Sequence, residues 1–123
     1  MTVPGIKKIL GLTIMYETGP IERFEKVGNY ASYCRCVGSR RLSNEKVKGK
    51  GNRKNGNKYL SWAYVEAAHH AQQHYEYVKR YYQRKMVKTN MIVARKTIAH
   101  KLARACYYII RDQTRFDPAR VFV

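Results

Sequence analysis

The chain has 123 residues, which allows one modest hydrophobic core and excludes a large multi-domain enzyme within these residues. Its formal charge of +17, from 25 Lys and Arg against 8 Asp and Glu, opposes a compact fold unless counter-charge is bound, and a phosphate backbone supplies that most economically. No apolar run reaches the roughly 18 to 20 residues that span a bilayer, and Lys7 and Lys8 interrupt any signal-like stretch at the N-terminus, so the expectation is a soluble intracellular chain with no membrane partner.

Taken in order, Pro4 and Gly5 precede Ile6, Ile9, Leu10, Thr13 and Ile14, which fall on one helical face. This predicts a helix over about 5–17, stopped by Gly19 and Pro20. Val27, Tyr30, Ala31 and Cys34 space a second, short helix. The alternation Cys34, Arg35, Cys36, Val37 then suits a brief strand, and a return strand near 45–48 would make a short β-hairpin. Asn57 is placed to cap a long helix running to about Lys85, in which Leu60, Tyr64, Ala67, Ala71, Tyr75, Val78 and Tyr82 recur every three or four residues. After a connector at 86–88, Thr89 or Asn90 caps a further helix carrying Met91, Ala94, Ile98, Leu102, Ala105 and Ile109. The expected fold is mainly α: an N-terminal helix-hairpin-helix-like segment over 1–36, a basic serine-bearing loop over 37–58, a long antiparallel helix pair over 59–112 and an extended or frayed tail over 113–123, together one compact domain.

The stretch 38–58 cannot bury itself. Its sizeable apolar groups are Leu42 and Val47 alone, its four glycines leave the backbone open to close approach, and eight cations face the single acid Glu45. Arg40, Arg41, Lys46, Lys48, Lys50, Arg53, Lys54 and Lys58 are therefore the candidate phosphate ligands. The C-terminal half is basic as well, with no acid between Glu76 and Asp112. Pro4, Gly5 and Ile6 opening a helix resemble the phosphate-binding hairpin of helix-hairpin-helix modules, which adds Gly5, Lys7 and Lys8 to the candidate contacts; Lys7 stands where a second glycine is usual.

Read as chemistry, the remaining signals are sparse. Ser43 is a hydroxyl among cations with no histidine within ten residues, so no hydrolase triad forms locally, and a lone loop serine is ordinarily just that. The acids are too few and too scattered for a two-metal phosphoryl-transfer centre. His70 and His74 have the spacing of a metal-binding pair on a helix, but a surface or packing role accounts for them without a third ligand, and no metal is assigned. Cys34, Cys36 and Cys106 read as reduced thiols, buried as small hydrophobes. Eleven tyrosines could stack on bases, though packing of the helix pair with hydroxyls at the surface explains most of them.

The combination VPGIKKILGLTIMYETGPIERF, then NYASYCRCVGSRRLSNEKVKGKGNRKNGNKYLSWAYVEAAHHA, then ARKTIAHKLARACYYIIRDQTRFDP resembles the C-terminal transposase domain of the serine-containing DEDD insertion-sequence transposases, which include the Piv invertases and the bridge-RNA-guided recombinases. The resemblance covers nearly all of the chain in the right order, and its most specific part is a serine in a basic loop followed by GNRKNGNKYLSWAYVEAAHHA.

The resemblance implies that Ser43 is the nucleophile that attacks DNA, with Ser39 as the fallback; Asn44 stands where a glycine commonly follows that serine. It also implies a RuvC-like domain whose four acidic residues bind magnesium and which the serine reaches from a neighbouring subunit, hence a homo-oligomer in full-length relatives. These 123 residues contain no such domain. The expectation is thus a truncated reading frame or isolated domain, cytoplasmic and nucleoid-associated, that binds DNA or a structured guide RNA without cutting, has no cofactor of its own, and serves DNA transposition and site-specific recombination. The alternative is a non-catalytic regulator of transposition or basic architectural protein in which Ser43 is inert.

Overall fold

The computed structural model describes residues 3–36 and 56–122. They form α1 (Lys8–Thr18), a 3₁₀ turn (Ile21–Arg23), α2 (Val27–Tyr33), α3 (Lys58–His74), α4 (Glu76–Lys88), α5 (Met91–Asp112) and α6 (Pro118–Val121). Among the described residues the fold is helical throughout, as the 3.6-residue periodicity requires.

The helix boundaries follow local chemistry. Gly19, at φ 65°, donates its N–H to Met15 O and ends α1 where Gly-Pro was expected to end it. Asn57 Oδ1 accepts from the N–H groups of Tyr59 and Leu60 at 2.9 Å, and Asn90 Oδ1 accepts from Val93 at 2.9 Å, so both predicted asparagine caps form. α5 closes at Asp112, where the apolar periodicity ends, with Gln113 in the left-handed conformation.

α5 is the central element. It runs back along α4 and α3, with Lys101 over the ring of Tyr81 and Cys106 against the hydroxyl of Tyr64. It also packs on α2, while α1 lies on α3. Ile14, Leu60, Val78, Ile98 and Leu102 are fully buried between these elements. The face of α3 made by Ala63, Ala67, Ala68 and Ala71 is equally buried and, being small, admits the N-terminal turn close to the helix backbone.

Four expectations change. The first helix begins at Lys8 rather than residue 5, because Gly5 at φ 80° stands against the Ala67 carbonyl, a conformation that does not continue a helix. Residues 33–36 form the end of α2 and a turn, not a strand: Cys34 N–H bonds to Tyr30 O and Cys36 N–H to Ala31 O, so these donors turn back on the helix. The return strand near 45–48 lies outside the described residues. The long helix is broken at Tyr75, which adopts φ −121° and ψ 117°, so a single helix over 57–85 becomes α3 and α4, the latter continuing to Lys88. The tail is not frayed: Phe122 is 8% exposed and its ring lies 5.8 Å from Tyr77 and 5.6 Å from Tyr81.

The tyrosines also depart from expectation in part. Tyr30, Tyr64 and Tyr107 are buried with their hydroxyls, which therefore need partners. Thr18 Oγ1, Tyr30 OH and Tyr64 OH form a chain with 2.8 Å links, and Tyr107 OH donates to Phe24 O at 2.8 Å. These bonds tie α1, α2 and α3 together and fasten α5 to the residues after the 3₁₀ turn. Burial raises the Tyr30 and Tyr64 hydroxyls far above the usual tyrosine range, so both stay neutral.

Candidate nucleic-acid interface

The residues on either side of 37–55, at the end of α2 and the start of α3, are fastened to each other. Asn57 N–H donates to Tyr33 O at 2.7 Å, so the strands of chain entering and leaving the segment meet at one point. The Asn57 side chain adds to this from both ends. Its Oδ1 caps α3, while its Nδ2 donates to Glu17 Oε1 at 2.9 Å and to Tyr33 OH at 3.3 Å. One residue thus joins the C-terminal end of α1, the end of α2 and the start of α3.

Two further contacts support that junction. Arg35, at φ 59°, lays its side chain across Gly56, where any Cβ would collide with it. Arg23 donates to Thr18 O at 3.0 Å and holds its guanidinium 4.9 Å from the Phe24 ring and 5.0 Å from the Tyr33 ring. The Asn57 amide, and after it Arg23, hold the Tyr33 hydroxyl below the ordinary tyrosine range. Cys36 at the departing root is half-buried, and burial pushes its thiol up to about 12 against the pull of the nearby Lys96 ammonium.

The sequence-predicted residues fall into three groups. Ser43, Ser39, Arg40, Arg41, Lys46, Lys48, Lys50, Arg53 and Lys54 lie outside the described residues. Lys58 opens α3, exposed, with its ammonium 5.4 Å from the Tyr59 ring. Lys7 is the residue before α1 and Lys8 its first, both exposed, and no side chain caps the helix start. Gly5 is buried against Ala67 and Ala71 of α3.

The N-terminal candidates and the segment roots are not brought together. Lys8 and Glu17 stand at opposite ends of α1, which at 1.5 Å per residue separates them by about 14 Å. A single phosphate therefore cannot reach both the N-terminal lysines and the roots of the segment.

His70 Nε2 lies 3.8 Å from Glu66 Oε2, one turn earlier on α3, and the His69 and His70 rings meet edge to face. Among the described residues no three His, Cys, Asp or Glu side chains converge. All three cysteines are free, and burial raises Cys34 well above the ordinary thiol range and Cys106 to about 12. No described helix is long and apolar enough to cross a membrane.

Sequence reasoning identified Asn57 as a cap but missed its bonds to Glu17 and Tyr33, and it gave no role to Arg23 or Arg35. The partners lie up to 40 residues away in sequence, and no local pattern announces them. What the geometry defines is a small helical, strongly basic domain in which the chain on either side of residues 37–55 is fastened at one point. The model of the Transposase IS116/IS110/IS902 family matches residues 1–83, from the N-terminal turn through most of α4, and the chain belongs to that family of transposases. No curated protein and no solved structure matches it.

Proposed function

We propose that the chain is the nucleic-acid-binding, serine-bearing domain of an insertion-sequence transposase, and that alone it binds DNA without cutting it. The observation that carries this reading is the junction at Asn57, which anchors both ends of the cationic segment within a chain of the transposase family. Seven cations between the two anchored points, with Lys58 at the start of α3 as an eighth, suit docking onto a phosphate backbone, because the flanking chain is fastened before binding.

In this reading Arg40, Arg41, Lys46, Lys48, Lys50, Arg53, Lys54 and Lys58 hold phosphates, and Lys7 and Lys8 extend the contact along α1. Ser43 Oγ is the nucleophile: it attacks a backbone phosphorus, forming a serine ester as the bond to one sugar oxygen breaks and that oxygen takes a proton. The described residues do not fit a magnesium centre, since their carboxylates are dispersed over α1, the 3₁₀ turn and the residues after it, α3, α4, the end of α5 and the tail. The metal belongs instead to the RuvC-like acidic domain of full-length relatives, reached across a homo-oligomer, and a structured guide RNA is a further partner.

The test is binding of the isolated chain to duplex DNA across a salt series, together with incubation with DNA and magnesium. The expected result is a steep fall of affinity with salt and no cleavage. Salt-independent binding would remove the phosphate-contact reading, and cleavage by the isolated chain would remove the requirement for the acidic domain.

A further inference from the structure

A second concentration of positive charge lies beyond the residues that the family model matches. α5 and the tail that follows it wall an open cleft of about 790 Å³, lined by Lys101, Arg104 and Tyr108 from α5, Tyr81 from α4, and Arg115 and Arg120 from the tail. The cleft exists because the tail folds back: Phe122 and Phe116, 6.4 Å apart, bring it onto Tyr77 and Tyr81 of α4.

The charge in this cleft is one-sided. Arg111 is paired with Asp112 through bonds of 2.8 and 3.1 Å, so these two cancel. Lys101, Arg104, Arg115 and Arg120 then face one further acid in the lining, Asp117. Burial, followed by Lys85 and Arg104, holds the Lys101 ammonium below the usual lysine range. His100 is held below the usual imidazole range by burial and then by Arg104 and Lys101. Every neighbouring charge acting on these two groups is a cation, so an anion entering the cleft relieves repulsion already present.

We infer that this cleft binds a single strand of nucleic acid, with backbone phosphates on Lys101, Arg104 and Arg120 and a base against the exposed ring of Tyr108. A volume in the range of small-molecule sites admits a few unstacked nucleotides but not a duplex, which can only lie across the rim. Cations interleaved with aromatic rings are the recurring equipment for unpaired strands, where stacking supplies sequence-tolerant affinity. The inference deepens the proposed function, since a domain that handles DNA junctions or a guide RNA meets unpaired nucleotides, and it places that contact apart from the 37–55 segment.

The experiment measures fluorescence anisotropy of labelled thymidine and uridine oligonucleotides and of a mixed-sequence duplex, with the whole chain and three sets of substitutions. Lys101→Gln with Arg104→Gln is expected to weaken single-strand binding about tenfold and to make the slope of log affinity against log salt shallower by about 1.4, two contacts at about 0.7 each, while duplex binding holds. Arg120→Gln, on the exposed tail, is expected to act in the same direction by about half that slope and guards against a folding defect in the pair. Replacing Arg40, Arg41, Lys46 and Lys48 with Gln should do the reverse, weakening the duplex and sparing the single strand; if it spares both, the reading of the segment fails and the cleft stands. Binding of either sugar supports the site, and tighter binding of the uridine strand assigns it to RNA. Unchanged single-strand affinity and salt slope in both cleft variants overturns the inference, as does an equal loss for duplex and single strand.

Discussion

Asn57 closes four bonds at one point of the chain, two as the cap of α3 and two from its amide to Glu17 and Tyr33. Replacing it with Ala removes all four, and the expected loss is about 2 kcal/mol, a cap plus partly exposed hydrogen bonds. Asn57→Asp separates the contributions, since it keeps the cap but sets a second carboxylate against Glu17. Denaturant unfolding reads both: a full-sized loss in Asn57→Ala with no loss in Asn57→Asp would place the whole effect in the cap and none in the junction. Gly5 is a different case, because the hairpin resemblance and the fold give it competing duties. At φ 80° and with the Ala67 carbonyl where a Cβ would sit, Gly5→Ala is expected to destabilise the fold by at least about 2 kcal/mol. An unchanged melting temperature with weakened DNA binding would instead assign Gly5 to phosphate contact alone. The two residues differ in what the sequence made legible. An asparagine ahead of an apolar helical repeat announces a cap, and the structure has it. The demand of Gly5 for a left-handed backbone and a bare Cα depends on α3, which begins more than fifty residues later, so the local pattern read it as a helix start.

At the scale of elements, periodicity located the helices and failed where nothing local marks a change. The repeat Ala71, Tyr75, Val78, Tyr82 runs on without a Gly or Pro, yet Tyr75 is 40% exposed and non-helical. Val78 and Tyr82 nevertheless stay buried against the core, so the apolar pattern survives a break that the pattern itself cannot signal. The turn at Cys34–Cys36 is hidden from the sequence for a related reason, since alternation over four residues is too short to separate a strand from the end of a helix. The tail shows the opposite case: Pro118 and a fall in periodicity suggest fraying, but Phe122 packs on Tyr77 and Tyr81 of α4 with Phe116 against its ring, and that aromatic area outweighs the cost of ordering a short segment. Phe122→Ala is expected to cost roughly 2–3 kcal/mol, toward the low end for an aromatic truncation because the site is at the chain end. Limited proteolysis of that variant should release residues after Arg111 first. If the tail of Phe122→Ala stays as protected as that of the parent chain, Phe122 is not what holds it.

At the scale of the whole molecule, a charge of +17 on 123 residues is tolerated because the core keeps its cations outside and gives each of its buried hydroxyls a hydrogen-bond partner. Composition alone pointed to a polyanionic partner, and the order of motifs pointed to a transposase, which the family match over residues 1–83 bears out. The cleft beside the tail was not legible, although the run of cations after Glu76 was, because forming it requires the tail to fold back on α4. The proposed work of the molecule is then divided: the fastened segment meets the DNA backbone, the cleft takes an unpaired strand, and Ser43 reacts once an acidic domain supplies metal. That division rests on Ser43 more than on any other residue. Its most direct test is strand exchange by the chain joined to the acidic domain of a full-length relative, comparing Ser43 with Ser43→Ala. The account predicts a loss of strand exchange of roughly 10⁴-fold or more, the scale of removing a catalytic nucleophile, with DNA affinity unchanged; undiminished strand exchange by Ser43→Ala would contradict it and leave a binding protein in which the serine is inert.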